Sequence, residues 1–131
     1  MTVSAGFIDQ VTELLQGLGH ITVRRMFGGA AAYCDGTVFA LLDEDCLYFK
    51  TDEAGRAAFE AEGTGPFSYE TKNGPAQIAS YYRVPERLMD DPEDLHVWAR
   101  NAIAVGRREA SARTTKARPK RASLKSKQST R

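Results

Sequence analysis

The sequence predicts an α+β domain in which an antiparallel sheet of about five strands is flanked by helices, with a disordered basic segment after it. Three observations predict this. Apolar residues recur at helical spacing near both ends of the first 108 residues, short apolar runs split by turn residues fill the middle, and beyond Ala112 only Leu124 is large and apolar.

From Ser4 to Leu18, the residues Phe7, Val11, Leu14, Leu15 and Leu18 line one face of a helix, and Gly19 supplies its stop. A short segment, His20 to Met26, leads to the glycine pair Gly28-Gly29. The strands then begin. Ala31 to Cys34, Thr37 to Leu42 and Cys46 to Lys50 are separated by Asp35-Gly36 and by the acidic turn Asp43-Glu44-Asp45. Asp-Gly between apolar runs marks a hairpin, because both central residues of its tight turn need positive φ. The run Val38 to Leu42 is apolar at every position, so this strand is expected to be central and covered on both faces.

Thr51 or Asp52 can cap a helix running to about Glu60, with Asp52 and Glu53 at its positive end. Phe67 to Glu70 and Gln77 to Val84 read as a second hairpin around Thr71-Lys72-Asn73-Gly74-Pro75. Pro85 can open one helical turn through Leu88. Asp91-Pro92-Glu93-Asp94 then combines an N-cap, a proline at the first helical position and acids in the first turn. Leu95, Trp98, Ala99, Ala102 and Ile103 follow on one face, with Arg107 and Arg108 near the negative end.

The formal charge of +1 is a cancellation. Residues 113–131 carry eight basic residues (Arg113, Lys116, Arg118, Lys120, Arg121, Lys125, Lys127 and Arg131) and no acid, whereas residues 1–112 hold ten basic residues against all 17 acids, a net −7. The domain boundary is therefore placed at 112/113. No run approaches the roughly 18 apolar residues of a membrane span, and the first thirty residues lack the pattern of a signal peptide, so a cytoplasmic protein without membrane contact is expected. Cys34 and Cys46 fall at opposite ends of a strand roughly 20 Å long, too far apart to bridge, and are expected as reduced thiols.

Arg24-Arg25-Met26-Phe27-Gly28-Gly29, Gly36-Thr37-Val38-Phe39-Ala40-Leu41, Leu47-Tyr48-Phe49-Lys50, Tyr81-Tyr82-Arg83-Val84-Pro85 and Asp91-Pro92-Glu93 occur in this order. Together they resemble the TfoX/Sxy N-terminal domain family, from about residue 7 to 108. The resemblance implies an antiparallel sheet with flanking helices, similar to secretion-chaperone-like folds that often pair into homodimers. It also implies regulation of natural competence, acting with the cyclic-AMP receptor protein on promoters. Regulator members carry a second, C-terminal domain, where this chain has its basic segment.

Arg24 and Arg25, just before Met26, Phe27, Gly28 and Gly29, form a candidate surface for a phosphate or carboxylate. Phosphate-loop signatures are missing, which favours a bend or bulge at the glycines and surface ion pairs for the arginines. Five tyrosines, Tyr33, Tyr48, Tyr69, Tyr81 and Tyr82, are spread through the strands; an acidic domain repels phosphate, so packing or a dimer interface is favoured over base stacking. His20 and His96 have no metal-ligand spacing with the cysteines, and no nucleophile, base and acid set can be argued, so no catalytic residue, cofactor or metal is expected. The clusters Asp43 to Asp45 and Asp90 to Asp94 read as solvated turns and caps.

Of the basic segment, Arg113, Lys116, Arg118, Lys120, Arg121, Lys125 and Lys127 are the candidate nucleic-acid contacts. Each phosphate they neutralise releases counterions and adds affinity without sequence preference. The expectation is a non-enzymatic regulatory module, dimeric, engaging protein partners of the transcription machinery, with nonspecific DNA contact through this segment. The rival is a protein-binding adaptor resembling a secretion chaperone, with no nucleic-acid role.

Overall fold

A computed structural model describes residues 3–26 and 29–122, the side chains of 113–122 excepted. Among the described residues, six strands form one antiparallel sheet: β1 (Ile21–Met26), β2 (Gly29–Cys34), β3 (Thr37–Asp43), β4 (Cys46–Lys50), β5 (Pro66–Thr71) and β6 (Gly74–Arg83), in spatial order β1-β2-β3-β4-β6-β5. Helices α1 (Ala5–Leu14), α2 (Glu53–Ala61) and α3 (Pro92–Ala122) contribute Val11, Phe59, Leu95, Ala99 and Ile103 to the same core as the strands. A 3₁₀ turn, Glu86–Asp90, precedes α3. The fold class is therefore α+β with an open antiparallel sheet, and no described helix is long and apolar enough to cross a membrane.

The caps explain where the helices start. The Ser4 hydroxyl accepts from the Phe7 amide at 3.1 Å, and Asp52, not Thr51, accepts from the Gly55 amide at 2.8 Å. Asp91 precedes Pro92 as expected, its carboxylate accepting from the Asp94 amide at 3.4 Å. Helix α1 ends a turn earlier than the apolar spacing suggested; Leu15 caps it, and Gly17 and Gly19 follow with positive φ. The Asp35-Gly36 turn has φ of 50° and 88°, the left-handed pair that a tight hairpin requires.

One strand more than expected is present. Ile21–Met26, read as a linking segment, is the edge strand β1, paired with β2 along its whole length from Ile21↔Cys34 to Met26↔Gly29. Its alternation is hidden by Arg24 and Arg25, both exposed, because an edge strand tolerates charge on its rim. The two cysteines are free and flank β3, as the strand spacing implied.

A second difference concerns β3. It is central, but only one of its faces is covered. The register shifts between Ala32↔Ala40 and Tyr33↔Val38, leaving Phe39 as the extra residue of a bulge. Phe39 and Ala40 both enter the core, while Val38 and Leu41 stay half-buried on the other side. The unbroken apolar run thus reflects the bulge and a face without a helix.

Helix α3 packs across β3 and β4. Its seat depends on Gly106, where a Cβ would stand 2.6 Å from the Val38 carbonyl oxygen. The next three residues each hold a different element: Arg107 reaches Asp35 at 3.5 Å, Arg108 reaches Asp52 at 2.7 Å, and Glu109 accepts from Lys50 at 3.0 Å. The two arginines were expected near the helix's negative end. The helix instead continues to Ala122, so they act as cross-links in mid-helix.

Candidate functional site

Register assigns each strand residue to one of two faces. Val23, Ala32, Ala40, Phe49 and Tyr82 line up across five strands beneath the helices. One residue along, Arg24, Ala31, Leu41, Tyr48 and Arg83 form the matching row on the opposite face, with an exposed arginine at each end. At about 4.8 Å per strand, the arginines' Cα atoms lie roughly 19 Å apart.

The sheet curls so that the β5–β6 hairpin walls this open face. Tyr48 and Phe67 meet edge to face with centroids 5.0 Å apart, and Phe67 stacks on Tyr69 at 6.1 Å. Between this aromatic wall and Met26 on β1 runs a cleft of about 900 Å³. Leu41 and Ile78 line its floor; Asp43, Glu44 and Glu70 stand among its lining residues, which include no cation. Met26 and Tyr69 are 42% and 46% exposed, so large apolar groups face solvent at both sides.

Local structure fixes the acidic end. Glu44 and Asp45 adopt left-handed φ of 51° and 58°, and Asp45 is held by the Ser4 amide at 3.0 Å. Gly29 sits beside this turn in β2. A Cβ there would stand 2.7 Å from the Leu42 carbonyl oxygen, so close strand approach, not a bend at positive φ, accounts for this glycine.

The predicted arginine surface divides. Arg25 donates to the Val3 carbonyl at 2.9 Å and ties the N-terminal residues to the sheet, while Arg24 lies on the open face. Met26 lines the cleft; Phe27 and Gly28 lie outside the described residues. The arginines therefore do not converge on one anion. Of the basic segment, Arg113, Lys116, Arg118, Lys120 and Arg121 fall within the span of α3 with their side chains not described, and Lys125, Lys127 and Arg131 lie outside the described residues. The span of α3 thus includes residues 113–122 of the basic segment.

The tyrosines separate by face. Tyr82, beneath the helices, donates to Glu60 at 2.9 Å, and that bond holds its phenol proton more tightly than usual. On the open face, burial pushes the Tyr48 hydroxyl upward. Burial does the same for Tyr81, partly opposed by Lys50, whose ammonium lies 4.7 Å from the ring centre. Lys50 is 8% exposed and spans from this ring to Glu109, linking the open face to α3.

His96 is satisfied by the Leu14 carbonyl at 2.7 Å, and no group of metal-ligating side chains is present among the described residues. Burial and the neighbouring Asp35 carboxylate raise the Cys34 thiol, which is fully buried. Such a thiol is a poor nucleophile at neutral pH. What the arrangement can do is hold an extended apolar and cationic surface, a task that the adaptor reading gives to the sheet without naming a face. The signal was the tyrosines together with the Met26 and Asp43 positions, which become neighbours only through the register.

No curated protein matches the chain. The TfoX N-terminal domain family matches residues 13–105, which covers the whole sheet and α3 as far as Val105. The chain belongs to the TfoX N-terminal domain family.

Proposed function

We propose that this chain is a non-enzymatic regulatory module of the transcription apparatus. Its domain binds a protein partner through the open face of the sheet, and residues 113–131 add nucleic-acid contact without sequence preference. The observation that carries the reading is the uncovered face itself. Sheets of this kind bury both faces or present one to water with polar side chains, whereas here Met26, Leu41, Tyr48, Phe67, Tyr69 and Ile78 line an open cleft. Membership in a family named for a competence regulator supports a regulatory role.

The division of labour follows from charge. A domain of −7 repels a polyanion, so nucleic-acid contact belongs to the +8 segment. The test is a mobility shift of duplex DNA by the full chain and by a chain ending at residue 112, each at 50 and 200 mM salt. Full-length binding should fall by about 10³-fold or more across that range if six phosphates are neutralised, and the shortened chain should bind weakly at both. Equal binding by both chains, or none at 50 mM, removes the nucleic-acid half.

The adaptor reading is favoured by one observation, the acids at the cleft. It expects partner capture by the chain ending at 112 and no DNA shift at any salt.

A further inference from the structure

The lining of the cleft is selective about what it can hold. Tyr48, Phe67 and Tyr69 offer ring faces, Leu41 an aliphatic floor, and Asp43 and Glu70 carboxylates, with no cation among the lining residues. Aromatic faces and carboxylates are the two groups that attract guanidinium and ammonium ions most strongly. The stems of arginine and lysine cover apolar surface while their heads reach acids. An anionic ligand is repelled, and a purely apolar one leaves the carboxylates facing it without compensation.

A segment with the required chemistry exists in this chain: residues 113–131, with eight basic residues and no acid. It cannot reach its own cleft. Helix α3 lies on the other face of the sheet, is anchored through Glu109, and continues to Ala122, an overhang of about 20 Å at 1.5 Å per residue. The nine residues that follow span at most about 30 Å. That length is consumed in returning along the overhang and crossing the roughly 10 Å between helix and sheet layers, leaving nothing to lie in the cleft. A second copy meets no such limit.

We infer that the open-face cleft of one copy holds the basic C-terminal segment of a second copy. The inference rests on the reading of the open face as a protein-binding surface, and it names the partner. It has a regulatory consequence. A segment held in the cleft cannot neutralise DNA phosphates, so self-association and DNA binding oppose each other, and each weakens the other by the same factor.

The test uses the full chain at 50 mM salt without DNA. Sedimentation velocity should show concentration-dependent association that reverts to monomer at 500 mM salt, where contacts between exposed charges are screened. The double substitution Asp43→Asn, Glu70→Gln, with an unchanged circular dichroism spectrum, should weaken association about tenfold or more. A photo-crosslinker placed at Tyr69 in a mixture of isotopically light and heavy chains should capture residues 113–131 of the other copy. A chain monomeric at 50 mM and several hundred micromolar, association unchanged by the double substitution, or crosslinks to the same copy or to another surface would each overturn the inference. The DNA shift of the full chain is read separately: if it persists while self-association is missing, this inference fails and the proposed function stands.

Discussion

The two faces of the sheet are written one residue apart. Val23, Ala32, Ala40, Phe49 and Tyr82 form the row beneath the helices, and Arg24, Ala31, Leu41, Tyr48 and Arg83 form its neighbour on the open side. The first row is built of buried or core-packed residues; the second runs from exposed arginine through buried Ala31 and half-buried Leu41 and Tyr48 to exposed arginine. Local propensity barely distinguishes them, since aromatic and aliphatic residues suit strands on either face. The helices do. Where α1, α2 and α3 supply Val11, Phe59 and Leu95, a side chain adds to folding; where they do not, the same kind of side chain is left for a partner.

The comparison breaks most visibly at neighbouring residues of β4. Phe49 is fully buried and packs on Phe39 with centroids 6.1 Å apart. Phe49→Ala should destabilise the chain by about 3–5 kcal/mol through lost burial and the cavity left behind, measured by urea denaturation. If the cost is below about 1 kcal/mol, this face is not the core. Next in size is Gly106→Leu. A side chain there meets the Val38 carbonyl and the Thr37 methyl at 3.2 Å, so α3 must lift from β3, at a cost of about 1–3 kcal/mol. The same change at exposed Ala104 should be nearly neutral, within about 0.5 kcal/mol.

How much of this was legible follows from which signals are local. The Asp35-Gly36 hairpin and the Asp91-Pro92 helix start were readable because turn and cap chemistry is set by adjacent residues. Strand β1 was not, because Arg24-Arg25 interrupts its alternation and only pairing with β2 reveals it. The bulge at Phe39 was hidden for a related reason: it changes which side each residue faces without changing the composition. Gly106 carries no local signal of its role: a helical glycine costs about 1 kcal/mol against alanine, and only the β3 carbonyl beneath it accounts for its presence. The cleft joins Met26, Asp43 and Tyr69, residues far apart in the chain, so no local pattern announces it.

A smaller effect is expected at Tyr48. Half-buried and edge-on to Phe67, it should cost only about 1 kcal/mol or a little more when replaced by alanine. Binding to the open face should fall by a larger factor, because the ring forms the wall of the cleft. Calorimetric titration with a peptide of residues 113–131 checks this. A loss of several kcal/mol in stability with no loss in peptide binding would reverse the roles assigned to the two faces.

The smallest effect lies at an exposed cluster that belongs to neither row. Arg87 donates to both Glu62 oxygens, at 3.0 and 2.7 Å, and to Asp94 at 3.0 Å, joining α2 to α3 across the 3₁₀ turn. The hydrogen bonds from Arg87 hold the Glu62 carboxyl below its ordinary 4.5. A carboxyl lowered in the folded state contributes stability that is present above its unfolded value and is lost as pH falls through its folded value. Melting temperature should therefore decline as pH drops below about 4.5, and Arg87→Met should remove that part of the decline while leaving the melt at pH 7 within a few degrees of the parent. The cluster is solvent-exposed, so added salt should shrink the difference between the two chains. Identical acid profiles for Arg87→Met and the parent would show that the bridge holds α2 and α3 together by geometry alone.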